Sequence, residues 1–249
     1  MGVKAQRDGS VAIIGAGDYI GSAIARRFAS EGFLVKLGRR NGDKLEPLVK
    51  EIEASGGRVA ARSLDAREPD DIAAFLQEAE NAAPLQLVIF NIGANVKFPI
   101  GETTDRVFCK VWEMACFSGF LTGRGAARIM ADRGGKIFFT GATASRRGGS
   151  GYAAFAAAKF GLRGVAESMA RELWPSGIHV AHLIIDAGVD TAFVRDLIEK
   201  REGAAALADL APDQLMSPEA IADAYWALFC QPRSAWTFEQ EIRPYRENW

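Results

Sequence analysis

Cysteine, histidine and net charge are all scarce in this chain, and no long apolar run occurs in it. The three cysteines, Cys109, Cys116 and Cys230, form an odd set without a CxxC pair. That excludes a disulfide framework and a cysteine-built zinc site, and reads as reduced thiols. The two histidines, His179 and His182, lie three apart in an apolar run, where a strand would point them to opposite faces and deny them a shared metal. Lys+Arg number 30 against 31 Asp+Glu, a formal charge of −1. The basic excess that displaces counterions from nucleic-acid phosphates is therefore absent. No stretch approaches the roughly 20 apolar residues that cross a bilayer, and the first residues lack the apolar core of a signal peptide. Together these absences predict a cytoplasmic protein with no nucleic-acid and no membrane partner. No low-complexity or Pro/Ser-rich linker interrupts the text, so residues 1–249 are expected to form a single domain.

What is present is an ordinary globular balance, 49% hydrophobic and 24% charged, over 249 residues. A chain of this length buries about three quarters of its unfolded surface and needs no covalent staple. Short β-branched runs alternate with longer helical text. Strands are predicted at 11–14, 33–37, 58–64 and 85–90, with helices at 20–30, 43–54 and 70–79 between them. Continuous apolar runs joined through helices are the mark of parallel strands covered on both faces. Further strands at 136–140 and 179–185 flank a long helix at 151–174, another helix is expected over 104–131, and 235–242 can supply a seventh strand at one edge. The reading is an α/β doubly wound parallel sheet of about seven strands, Rossmann-type, with right-handed crossovers. Residues 191–216 follow the carboxyl end of the sixth strand, where ligands bind in such sheets, and read either as a substrate lid or as a static surface excursion.

The first strand runs into Gly15-Ala-Gly17-Asp-Tyr19-Ile20-Gly21 and then a helix. Glycines at a strand-to-helix turn let the backbone approach a pyrophosphate and aim helix amides at it. Alone the pattern is weak, and its spacing is one residue longer than the commonest dinucleotide fingerprint. Where that fingerprint places an acidic residue after the second strand, this chain has Arg39 and Arg40. Guanidinium groups make charge-assisted bonds to a 2′-phosphate that a carboxylate would repel, so the expected cofactor is NADP(H). The plain alternative is that both arginines are only solvated.

These residues resemble the short-chain dehydrogenase/reductase family over nearly the whole chain. The likeness takes in the glycine turn, Arg39, Leu64-Asp65, Asn91-Ile92-Gly93 where the family has Asn-Ala-Gly, Phe155-Ala-Ala-Ala-Lys159 at the YxxxK position, and Asp190-Thr191. It implies that Asp65 contacts the adenine, that Asn91 to Gly93 pass beside its ribose, that Thr191 holds the nicotinamide carboxamide and that Lys159 holds the ribose. It also implies a homodimer or homotetramer, built on the 104–131 helix with its small Gly119 and Gly123 and on the helix holding Lys159. The aromatic end, residues 243–249, would pack on a partner.

The chain departs from that pattern where the chemistry lies. The family's asparagine, serine and tyrosine fall on Cys116, Ala142 and Phe155, and only Lys159 matches. A phenyl ring has no exchangeable proton. Tyr19 and Ile14 replace a glycine and a threonine of the family's turn, and Asp186-Ala187 replaces its Pro-Gly. The set resembles a divergent subgroup with Phe in place of the catalytic tyrosine. Three groups can supply the lost proton: Tyr152, one turn before Phe155; Thr143, beside the lost serine; and Lys159 itself, directly or through water. Tyr152 and Phe155 read equally as core packing, whereas a lysine among alanines on an apolar helix needs a polar partner. Arg146 and Arg147 can meet an anionic substrate or be a solvated loop pair. Two functions remain open. One is an NAD(P)(H)-dependent oxidoreductase acting on an unidentified small-molecule carbonyl or alcohol. The other is a catalytically inactive nucleotide-binding protein of the same fold, a sensor or oligomer partner.

Overall fold

A computed structural model describes residues 4–247. Seven strands, β1 (Ser10–Ile14), β2 (Leu34–Arg39), β3 (Arg58–Ser63), β4 (Leu85–Phe90), β5 (Gly135–Ala142), β6 (Ile178–Ile185) and β7 (Glu239–Ile242), form one sheet in the order β3-β2-β1-β4-β5-β6-β7. Every pairing is parallel, including the short edge strand β7 on β6. The chain therefore forms the single doubly wound domain expected of its apolar runs.

Strand alternation divides the core. Val11 and Ile13 face one layer with Phe28, Leu48 and Tyr225, while Ala12 and Ile14 face the other with Phe75, Met130 and Leu162. The first layer is built by α1 (Ile20–Ser30), α2 (Glu46–Ala54) and α9 (Pro218–Phe229), the second by α3 (Pro69–Ala82), α5 (Ser118–Met130) and α6 (Ala153–Leu173). Between β6 and α9 lie α7 (Ala192–Glu202) and α8 (Ala204–Ala208), neither of which buries a residue.

The segment expected as one helix over 104–131 runs without a break from Asp105 to Met130, but not as regular α-helix throughout. α4 (Asp105–Trp112) passes through a π-helical turn at Glu113–Phe117 into α5. The Ser118 hydroxyl donates to Met114 O at 2.6 Å beside the turn. Such single-turn π segments often occur at functional sites, and this one carries Cys116. Gly119 and Gly123 do permit close approach, but within the chain. A Cβ at Gly119 would lie 2.4 Å from Leu162 Cδ1, and one at Gly123 2.6 Å from Met169 Sδ. The 43–54 helix likewise starts as a 3-10 turn, Gly42–Leu45, before α2. The end of the expected partner-binding segment, residues 248–249, lies outside the described residues.

Candidate functional site

The strand order reverses between β1 and β4, and the crevice at such a switch point receives ligands in open α/β sheets. Here it is a cleft of ≈ 520 Å³ that collects Gly15, Gly17, Arg39, Arg40, Asp65, Asn91, Ile92 and Gly93 from the ends of four strands. The glycines differ in their reasons. Gly15 has φ +87°, and a Cβ there would meet the Asn91 backbone at 2.8 Å. Gly21 lets α1 close on Ala16, whose Cα would be 2.7 Å from an added Cβ. Gly17 and Gly93 have nothing within 4 Å of that position. No packing demand explains them, and the open space lets a ligand approach the backbone.

The cleft is cationic at its outer end. Arg39 donates to Asp18 Oδ1 at 2.6 Å, and Arg40 and Lys44 line the wall. Asp65 is engaged by Arg67, whose backbone N–H and Nε donate to Oδ1 at 3.1 and 2.9 Å. These bonds hold the Asp65 carboxyl below its ordinary range against the opposing effect of burial. Asp18, Lys44 and Arg67 were not anticipated from sequence. Arg67 had a local signal, since an Asp binding the N–H two residues on is an Asx turn.

Deeper in, Asn91 is locked by a chain of hydrogen bonds. Its Nδ2 donates to Gly15 O at 3.0 Å, and its Oδ1 accepts from Thr140 Oγ1 at 3.0 Å. Thr140 has only one hydroxyl proton, so the buried Tyr225 hydroxyl, 2.6 Å away, must be the donor of that pair. Burial raises the Tyr225 pKa, which keeps the phenol protonated. A residue of α9 thus fixes the geometry of the glycine turn.

Lys159 lies at the inner wall, 2% exposed. Its Nζ donates to Thr140 O at 2.8 Å and to Ile92 O at 3.1 Å. An ammonium has three N–H groups, so one is left over. Burial pushes its pKa down to about 8, with the nearby Cys116 acting in the opposite direction. Its surroundings are apolar. Cys116, Phe155, Ala144 and Val111 are buried in one cluster, with Ala142 and Tyr152 packed against it. Phe155 is 7% exposed and lies in the core, its ring 6.0 Å from Lys159 Nζ. Tyr152, partly buried, carries Lys97 Nζ 5.6 Å above its ring. Thr143 is part-buried in the 3-10 turn Thr143–Ser145 after β5.

Tyr19 and Thr191 meet at the base of α7. The Thr191 hydroxyl caps that helix by accepting from Val194 N at 3.1 Å, and the Tyr19 hydroxyl accepts from Ala192 N at 3.0 Å. The Tyr19 side chain therefore reaches from the glycine turn to the helix that follows β6. Ile20 and Gly21 form the first turn of α1.

Arg146 and Arg147 are exposed, and each has an acidic partner. Arg146 donates to Glu241 at 2.5 Å, and Arg147 to the buried Asp186 at 3.3 Å. Arg243 joins Asp186 from the other side at 3.0 Å. The Asp186 N–H also donates to Ile242 O at 3.0 Å, a bond that proline cannot make. The two histidines find separate partners. His179 Nε2 pairs with Thr237 O at 2.9 Å, while His182 lies 3.2 Å from Glu239 and 3.5 Å from Ser145. Burial pushes the His182 pKa down, against the opposing effect of Glu239. The resulting order serine, histidine, carboxylate resembles a nucleophilic triad, but Ser145 and His182 are both 0% exposed. Closed to any substrate, they brace the turn after β5. No His/Cys/Asp/Glu group among the described residues can hold a metal, and no helix among them is long and apolar enough to cross a membrane.

A doubly wound parallel sheet with a glycine turn at its switch point and a buried lysine opposite defines a Rossmann-type α/β protein. More narrowly, a family model described as short chain dehydrogenase matches residues 10–202, and the chain belongs to that family of oxidoreductases. A short-chain dehydrogenase/reductase of Armillaria gallica is 30% identical over 178 residues, 69% of this chain and 68% of that one. A 3-dehydrosphinganine reductase of Arabidopsis thaliana is 29% identical over 77% of this chain, which spans only 58% of that protein's length. The crystal structure of a short-chain dehydrogenase from Rhodopseudomonas palustris is 61% identical, covers 96% of this chain and 100% of that one, and superposes with a TM-score of 0.82.

Proposed function

We propose that this protein is an NADP(H)-dependent oxidoreductase of a small carbonyl or alcohol in which Lys159, not a tyrosine, exchanges the proton with substrate. The observation that carries this reading is a buried ammonium with no carboxylate beside it, its pKa at about 8, hydrogen-bonded to Ile92 O on the wall of the cleft. General acids work best when their pKa lies near the working pH.

The residues fit a dinucleotide. The turn Gly15, Gly17, Tyr19, Ile20 and Gly21 would receive the diphosphate on backbone amides at the start of α1. Arg39 and Arg40 would take the 2′-phosphate, with Asp18 giving up Arg39. Asp65 would meet the adenine, Asn91, Ile92 and Gly93 would line the ribose, and Thr191 would face the carboxamide. When bound, the reduced nicotinamide supplies a hydride to the carbonyl carbon. Lys159 then gives a proton to the carbonyl oxygen, and Tyr152 and Thr143 orient that oxygen by hydrogen bonds. Residues 191–216 act as a lid over the site, held at its base by the Tyr19 hydroxyl. The partly exposed Phe108, Trp112 and Phe160 of α4 and α6 suit a homodimer or homotetramer interface.

One observation favours a second reading, a nucleotide-binding sensor without turnover. Cys116, Ala142 and Phe155, which correspond by resemblance to the family's asparagine, serine and tyrosine, all belong to or pack on a single apolar cluster. NADPH consumption across aldehydes, ketones and 3-oxoacyl thioesters, with equilibrium NADPH binding measured alongside and Phe155→Tyr in parallel, separates the two. Carbonyl-dependent consumption by the wild-type protein is expected, with a changed pH dependence in Phe155→Tyr. Saturable binding without turnover in either protein would replace the first reading by the second.

A further inference from the structure

The other end of the sheet holds a second set of cations that the cleft does not use. At the amino ends of β4, β5 and β6, two adjoining hollows of ≈ 300 and ≈ 460 Å³ share Gly177, Arg233 and Trp236. Lys136 lines the first, beside Phe229. Its Nζ lies 5.3 Å from the Phe229 ring centroid and 5.8 Å from that of Trp236. Arg233 reaches over the turn at Gly177, with Nη2 3.3 Å from the position of an added Cβ.

Neither cation has an acidic partner among the described residues. The third cation of the hollow, Arg133, differs: it is neutralised by Glu80, with Nη1 to Oε1 at 2.8 Å. Burial pushes the Lys136 pKa down, and Arg233 acts in the same direction against the nearby Cys230 thiol. A part-buried ammonium held only by two ring faces, under the influence of the Arg233 charge and with no carboxylate partner among the described residues, would gain from an anion. Buried in the same ring stack, the Trp236 indole N–H lacks an acceptor.

We propose that this amino-end pocket binds a small aromatic carboxylate, its anionic group between Lys136 and Arg233 and its ring against Trp236 and Phe229. A compact anion would meet the charges but make no contact with Trp236 and Phe229, which line the same hollow. A neutral aromatic would leave both cations unpaired. The proposal is independent of the cofactor cleft, which opens at the carboxyl ends of the strands.

Titration of the full chain with benzoate, followed by tryptophan fluorescence and by thermal shift, tests it. Benzamide serves as the neutral isostere and acetate as the ringless anion. Saturable quenching by benzoate is expected, at least about tenfold weaker with benzamide and with acetate, equivalent to about 1.4 kcal/mol. Lys136→Met and Arg233→Gln should each weaken benzoate about tenfold or more, while Arg40→Ala at the distant cleft leaves it unchanged. Equal binding in both pocket variants would overturn the site, and equal binding of benzamide or acetate would overturn its chemistry. Should Lys136→Met fail to fold, Arg233→Gln, at an exposed position, carries the test alone.

Discussion

The two walls of the switch-point crevice have opposite characters. The outer wall is open and polar: Arg39, Arg40, Lys44 and Arg67 line it, and Gly17 and Gly93 leave their Cβ space empty. The inner wall is closed and apolar, with Phe155 and Cys116 buried around a single ammonium. The proposed binding and the proposed reaction therefore rest on different walls. On the proposed reading the outer wall would hold a charged ligand whatever the inner wall does, because backbone amides and surface cations need no partner across the crevice. Reaction needs one proton in the right place, and the cation on the inner wall is Lys159, with the Cys116 thiol, its pKa raised by burial, beside it.

The largest expected effect breaks the inner wall. Lys159→Met should lower reductive turnover by about 10²–10⁴-fold, the usual worth of a general acid, with NADPH binding still measurable. Burial disfavours the ammonium, so the lysine carries its proton below about pH 8 and loses it above. Wild-type reductive turnover should therefore fall as pH rises through about 8. A flat profile there would remove Lys159 as the donor.

A smaller effect tests the outer wall. Arg39→Ala combined with Arg40→Ala should weaken NADPH by about 10- to 100-fold, the loss of charge-assisted bonds to a phosphate, while NADH changes little. Equal losses for both cofactors in titration would show that these arginines do not read the 2′-phosphate. The smallest effect tests the brace between the walls. Tyr225→Phe removes the proton donated to Thr140 and should cost about 1 kcal/mol of stability, read as a lowered melting temperature. An unchanged melt would mean that the bond adds nothing to the fold.

Much of the outer wall was legible because its signals are local. A glycine turn after an apolar run and paired arginines after the next strand are adjacent in sequence as they are in space. Arg146 and Arg147 show where such reading stops. Their partners, Glu241 and Asp186, lie 95 and 39 residues away, and no spacing rule connects them. Asp186-Ala187, where the family it resembles has Pro-Gly, reads in sequence only as a departure. In the structure it is a gain, because the Asp186 N–H extends the pairing to Ile242 and its carboxylate holds two arginines. The helix over 104–131 is present, but its π turn at Glu113–Phe117 has no local signature of its own.

By itself the sequence determined the strand and helix order, the glycine turn, the local cations and the residue types at the inner wall, since each depends on neighbours within a few positions. Only the tertiary structure decided that Cys116 and Phe155 close into one apolar cluster, that Lys159 is buried against Ile92 O and Thr140 O, that Tyr225 orients Asn91, and that Lys136 and Arg233 line one hollow without an acidic partner among the described residues. Burial and pairing depend on which distant segments the crossovers bring together. The charge state of a lysine follows from that environment, and its residue type alone does not reveal it.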